Sequence, residues 1–351
     1  MPLTVSGTAA TRVSPSADSF GTKITTMEGS SVRSVATGAN NEHLEKQMPG
    51  RRATANCRLL WPAVHSFVGD LADRVLSGMA PIVVGLDPRL AAFPERLLPG
   101  AAPAARIVAF YREALPVIAR HAPAVKPNIA FFEAYGADGY RAYEEVCRIA
   151  HEHELLIVGD VKRGDIGSTA EAYAEGHFRL ADALTLHPYL GEDSVAPFLK
   201  WCPPDAGGRG VFVLVRTSNP GARDLQDLRI GDRPLCDLVA EKVSEWGSRL
   251  PQVHGYHAVG AVVGATWPGE LTRLRRLLPQ SWLLLPGVGA QGGKVEDLAA
   301  AFDDRGLGAL VNQSRGVMQC FSPANDDWLD RIEQACRTFA DDCRRVARPN
   351  P

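Results

Sequence analysis

Residues 159–176 read GDVKRGDIGSTAEAYAEG, and within six residues they place Asp160, Lys162 and Asp165, with Arg163 among them. The segment directly follows the apolar run Leu155, Leu156, Ile157, Val158. Charges of both signs at the end of a buried strand suit either a solvated ion-pair loop or a site that needs an ammonium held by carboxylates. Such an ammonium can stabilise a developing anion and then protonate it. Asp160 and Lys162 are two residues apart, so an extended backbone turns both side chains to one side. The opposite charge of Asp160 favours the ammonium form of Lys162 and can orient it. Asp87, after PIVVGL, and Lys126, in AVKPN, end two further apolar runs, and this agreement of position argues against an isolated surface loop.

A second group of residues suits a phosphate. PGVGAQGG, residues 286–293, follows an apolar run at 282–285. Its closely spaced glycines can present backbone N–H groups to an anion, although ordinary turns use glycines too. It lacks the GKS/T ending of a Walker loop. Arg315 follows the last apolar run, and a phosphate between the seventh and eighth loops of a barrel, held by a bidentate arginine, is a recurring arrangement.

These residues need a scaffold that brings strand ends together. From about residue 67 the chain alternates short apolar runs with helical patterns. Strands are expected near 82, 124, 156, 184, 212, 260, 283 and 309. Helices are expected at 137–153, 169–180, 234–248, 268–278, 295–302 and 326–345, and another after Pro103. Eight near-continuous apolar strands separated mostly by helices favour a closed (β/α)8 TIM barrel in α/β class over an open sheet. In such a barrel the site forms at the C-terminal strand ends, where Asp87, Lys126, Asp160 and Lys162 all fall.

The 351 residues, of which 45% are hydrophobic, suffice for a large core, and the net charge of −2 gives no argument for a nucleic-acid partner. No apolar run approaches the roughly 18–20 residues of a membrane span. The seven cysteines are scattered, with no CxxC pair, so reduced thiols in a cytoplasmic protein are expected. Residues 1–60 are rich in Ser, Thr, Ala and Gly and read as a disordered N-terminal extension before a single domain at 67–351. Glu28, Glu42 and Glu45 weaken a transit-leader reading, and Met48 is an alternative start. HEHE at 151–154 is expected to be a polar junction and no metal site, because no completing ligand set accompanies it. Trp201, Trp267 and Trp282 are expected to pack, and RDLQDLRIGDRP, 223–234, is either a flap or a long connection.

The ordered set GLDP (85–88), VKPNIAFFEAYG (125–136), DVKRGDIGSTAEAYA (160–174), TSNPG (217–221), PGVGAQGG (286–293) and SRG (314–316) resembles the orotidine 5'-monophosphate decarboxylases, in their longer bacterial form. The resemblance runs from about residue 67 to the C-terminus. It implies conversion of orotidine 5'-monophosphate to uridine 5'-monophosphate and CO2 in pyrimidine biosynthesis, with no cofactor and no metal. It further implies an alternating charge network of Lys126, Asp160, Lys162 and Asp165, in which Asp165 completes the site of the other subunit of a homodimer. Lys162 would protonate C6 of the pyrimidine, where the ring cannot delocalise the charge left by CO2. Asp87 and Lys126 would contact the ribose, Ser218 the pyrimidine, and Ile166 and Thr169 the partner's pocket. Gln291, on a closing loop, and Arg315 would bind the 5'-phosphate, with Gly289, Gly292 and Gly316 as backbone neighbours. Neither a membrane nor a nucleic acid is implied as a partner, and Arg163 receives no role.

Three other readings compete. A sugar-phosphate decarboxylase would share DxKxxD but, by the same comparison, would carry a carboxylate in place of Lys126 and use magnesium. A Schiff-base aldolase would need a deprotonated lysine, which flanking aspartates disfavour. A non-catalytic nucleotide-binding protein would have little use for the complete charged set.

Overall fold

The computed structural model describes residues 66–289 and 292–348. The expected extension at 1–60 and the phosphate candidate Gln291 lie outside the described residues.

Eight parallel strands close on themselves: β1 (Ile82–Leu86), β2 (Ala124–Pro127), β3 (Leu156–Arg163), β4 (Ala183–Leu186), β5 (Gly210–Arg216), β9 (Tyr256–Val263), β10 (Ser281–Leu285) and β11 (Ala309–Gln313). Neighbours pair in chain order, and β11 returns to β1 with Ile82 opposite Val311. The expected (β/α)8 barrel is therefore the architecture. Three short strands lie outside the closed ring: the hairpin β6 (Arg229–Ile230) and β7 (Arg233–Pro234), and β8 (Gln252–Val253), which is antiparallel to β9.

The long helices form the outer layer: α2 (Pro103–Ala119), α4 (Gly136–Glu152), α5 (Gly167–Phe178), α6 (Glu192–Leu199), α8 (Leu235–Ser248), α9 (Pro268–Leu277) and α11 (Trp328–Ala347). Pro103 occupies the first turn of α2, where its missing N–H costs nothing. Single-turn helices α3 (Ala130–Glu133), α7 (Arg223–Gln226) and α10 (Arg315–Met318) follow strand ends. The helix expected at 295–302 is instead a 3-10 helix over Val295–Ala301, starting at Lys294 without a side-chain cap. The helix α6 is only eight residues long and carries Pro197 in its interior, and it is an addition to the expected set.

A further addition is α1 (Phe67–Leu76), capped by the Ser66 side chain accepting the Gly69 N–H. Its Phe67, Leu71 and Ala72 cluster with Val83, Ala124, Leu156, Val158, Phe212, Trp282, Leu284 and Leu310. This cluster fills the barrel, while Ile82, Val84, Val125, Ile157, Val213 and Val311 face the helices. Phe67 meets Phe212 edge-on at 5.9 Å. A Cβ on Gly210 would lie 2.5 Å from the Phe67 ring, so only glycine lets that ring enter.

The two-residue alternation sets the site. Stepping up each strand from the inward apolar residues leads from Val83 to Asp87, from Ala124 to Lys126, from Val158 to Asp160, from Ala183 to Thr185 and from Leu310 to Asn312. The apolar filling of the barrel thus gives way to polar groups at one end, the C-terminal mouth.

Candidate active site

The mouth holds a cavity of ≈ 600 Å³ lined by Asp87, Lys126, Asp160, Lys162, Thr185, Ser218, Asn312 and Arg315, over a floor that includes Leu214, Val262 and Leu284. Six residues singled out from the sequence therefore meet here: Asp87, Lys126, Asp160, Lys162, Ser218 and Arg315.

Asp160 is the hub. Its Oδ2 accepts from Lys126 Nζ at 2.7 Å, and its Oδ1 accepts from Thr185 Oγ1 at 3.1 Å and from Lys162 Nζ. The Lys126 and Asp160 side chains are each 8% exposed, whereas Lys162 is 47% exposed and opens to the cavity. Burial alone would push the Asp160 carboxyl up, but the Lys126 and Lys162 ammoniums outweigh it and hold the group well below the usual carboxylate range. Burial likewise disfavours the Lys126 ammonium, and Asp160 and Asp87 more than reverse this, raising its pKa. A carboxylate so engaged serves as a fixed acceptor, and the half-exposed Lys162 side chain is held on it where it lines the cavity.

Lys162 reaches Asp160 by a route that simple alternation does not describe. Its φ is +44°, in the left-handed region, and the β3–β4 register jumps from Gly159–Leu184 to Arg163–Leu186. The chain bulges between these pairs, and β3 runs on through the bulge to Arg163. Thr185 pins the bulge by accepting the Lys162 N–H at 3.0 Å while donating to Asp160.

Asp87 Oδ2 lies 2.5 Å from the Ser314 hydroxyl. Asp87 Oδ1 and Asn312 Oδ1 are buried with no hydrogen-bond partner among the described residues. Both residues line the cavity, so a ligand bearing hydroxyl donors would satisfy groups that are otherwise costly to bury. Thr185, Asn312 and Ser314 were not singled out from the sequence. They are neutral strand-end residues, and the inward alternation is the signal that finds Thr185 and Asn312.

Ser218 is half-buried, and a Cβ on Gly264 would lie 3.0 Å from its backbone, so glycine there allows the close approach of the two loops. The 223–234 segment is a brace: Gln226 Oε1 accepts the Thr217 N–H at 2.9 Å, and Asp227 pairs with the buried Arg216 at 2.8 Å. Trp267 lies beneath Arg216 at 4.3 Å and donates to Thr217 O, a packing and bracing role.

Other candidates stand apart from the cavity. Asp165 Oδ1 accepts the N–H of Ile166, and Ile166 and Thr169 are exposed on the turn into α5. Gly289 and Gly316 press against the Gln313 side chain, and the Gly289 and Gly292 N–H groups bond within their own loop. His151 is half-buried beside Asp182 at 3.1 Å, and no group of three or more possible metal ligands occurs among the described residues. No described helix is long and apolar enough to cross a membrane.

The fold and site define a (β/α)8 barrel with a carboxylate clamped between two lysines at its mouth. The chain belongs to the orotidine 5'-phosphate decarboxylase / HUMPS family, whose model matches residues 80–325. A Rhodopirellula baltica protein named orotidine 5'-phosphate decarboxylase is 41% identical over 292 residues, 77% of this chain and 96% of that protein. A Halorubrum lacusprofundi protein of the same name is 43% identical over 72% of this chain and 87% of its own. Among solved structures, OMP decarboxylase of Leishmania donovani matches with 36% identity and a TM-score of 0.62, over 79% of this chain and 97% of that one. UMP synthase of the same organism matches at 36% identity and a TM-score of 0.64 over 80% of this chain, which spans only 56% of that longer protein.

Proposed function

We propose that residues 67–351 act as one catalytic unit that decarboxylates orotidine 5'-monophosphate to uridine 5'-monophosphate, a cytoplasmic step of pyrimidine biosynthesis. The observation that carries this reading is the Lys126–Asp160–Lys162 array at the barrel mouth. The C6–carboxylate bond breaks with its electron pair left on C6, CO2 departs, and a proton passes from Lys162 Nζ to C6. Lys162 then regains a proton from solvent. The lysine charge is already in place before charge develops on carbon, so little reorganisation accompanies the reaction.

The unpaired oxygens of Asp87 and Asn312 support a ribose subsite, and the half-buried Ser218 supports a pyrimidine contact. Arg315, in the cavity lining, would bind the 5'-phosphate together with Gln291, with Gly289, Gly292 and Gly316 as backbone neighbours. Asp165, Ile166 and Thr169 do not line their own cavity, which favours a homodimer in which they complete the partner's site. No cofactor is required. A magnesium-dependent sugar-phosphate reaction is disfavoured because the Lys126 ammonium occupies the Asp160 oxygen that a metal ion would need.

The test is incubation of the purified protein with orotidine 5'-monophosphate in the presence of a metal chelator, following uridine 5'-monophosphate. Undiminished turnover under chelation is expected. Absence of turnover by a folded protein, with or without added magnesium, would overturn the reading.

A further inference from the structure

Arg163 immediately follows the bulge that carries Lys162, and its side chain leaves the cavity for the outside of the barrel. There its Nη2 donates to Glu133 Oε1 at 2.9 Å, its Nε donates to His177 Nε2 at 3.2 Å, and its guanidinium carbon lies 5.2 Å from the Tyr173 ring centroid. Its Nη1 returns to the Val161 carbonyl at 3.3 Å, and its own carbonyl accepts the His187 N–H at 2.8 Å. Glu133 lies in α3, at the end of β2, and Tyr173 and His177 lie in α5. One guanidinium therefore joins the end of β3 to the two helices on either side of it.

The acceptor is suited to this. Burial, and after it the Arg163 cation, lowers the His177 pKa to about 4, so the neutral ring can take the Arg163 N–H. The joined element is also one that needs holding. A left-handed φ is unfavourable for lysine, and such strain persists only where surrounding contacts over-determine it. Thr185 holds the bulge from inside the barrel, and Arg163 is the matching hold on the outside.

We propose that Arg163 is a positioning residue: by anchoring the far end of the bulge to α3 and α5, it sets the strained backbone of Lys162 and so the aim of the Lys162 ammonium into the cavity. This rests on the proposed role of Lys162 in proton transfer. The fork and the stacking plane matter as well as the charge, so lysine is not an adequate substitute.

The experiment compares the full chain with its Arg163→Gln and Arg163→Lys variants by steady-state kinetics on orotidine 5'-monophosphate, thermal unfolding, sedimentation and crystallography. Both variants should stay folded and assembled as the parent. Their kcat should fall about tenfold to a hundredfold, the scale on which a misaligned group slows a reaction, with KM little changed. In a Lys162→Ala background Arg163→Gln should cost nothing more, because both act through one group. Full activity in Arg163→Lys, or additive losses in the double variant, would overturn the proposal. Should Arg163→Gln fail to fold, Glu133→Gln, which removes a single hold, should show a smaller loss of kcat in the same direction, and unchanged kcat there counts against the idea. If the parent itself has no turnover, the reading of the site fails separately. The crystal structure of Arg163→Gln then still decides: a retained left-handed Lys162 in contact with Asp160 contradicts the anchor, and a relaxed one supports it.

Discussion

Lys126 Nζ lies 2.7 Å from Asp160 Oδ2, and this pair is buried at the cavity wall with both side chains 8% exposed. Removing one member of a buried pair leaves an uncompensated charge, which costs about 3–5 kcal/mol. For Lys126→Met the loss should sit near the lower end, about 3 kcal/mol, because Lys162 still faces Asp160. Urea unfolding measures it. A stability equal to that of the parent would mean that the pair contributes nothing to the fold.

Stability should fall with acid in a window set by two histidines. Burial, with Arg163 second, takes His177 down to about 4, and burial takes His257 down to about 4 as well. The unfolded chain, with histidines near about 6.5, binds more protons between these values, so their stabilisation is present above about 6.5 and is lost as pH falls toward about 4. Asp160 adds nothing to that loss. Its depressed carboxyl gives stability above the ordinary carboxylate value, which disappears only as pH falls through its lower folded value. Denaturation midpoints measured from about pH 7 to about pH 4.5 should decline, and His257→Gln should flatten the decline.

The barrel was legible because its strands are apolar on both faces and alternate with helical patterns, and the site was legible where charge stands at strand ends, as for Asp87, Lys126 and Asp160. Thr185 and Asn312 carry no such mark, because a neutral polar residue ending a strand is unremarkable until its inward register is known. Ser314 meets Asp87 across 227 residues of chain, a contact that only barrel closure creates. Lys162 reached the expected side by a bulge and a left-handed φ, where regular alternation was expected. Arg163 had no readable role because all its side-chain partners except the Val161 carbonyl lie on other elements. The helix α1 is an addition even though the sequence carries its signals, an apolar stripe of Phe67, Leu71, Ala72 and Val75 at helical spacing behind a Ser66 cap.

Asp165 tests the proposed composite site. Chains carrying Asp165→Ala and chains carrying Lys162→Ala should each be nearly inactive. Mixed and allowed to exchange subunits, they should regain up to about half the activity per hybrid dimer, since one of its two sites is intact. Demonstrated exchange with no recovery would show that Asp165 does not serve the partner.

Arg315 should matter beyond affinity. If phosphate contacts drive loop closure, Arg315→Ala should lower kcat/KM for orotidine 5'-monophosphate by about a hundredfold or more, with kcat falling as well as KM rising. Orotidine lacking the phosphate should already be poor, and the substitution should change its rate little. Equal sensitivity of the two substrates to Arg315→Ala would remove the phosphate contact from the account.

In the proposed reaction the Lys162 ammonium, held on Asp160, supplies the proton to C6. Turnover of saturating orotidine 5'-monophosphate by Lys162→Ala, alongside calorimetric binding of uridine 5'-monophosphate to show an intact pocket, tests it most directly. The nucleotide should still bind and turnover should fall by at least about 10³-fold, the combined loss of proton donor and fixed charge. Turnover within about tenfold of the parent by a variant that binds nucleotide normally would contradict it.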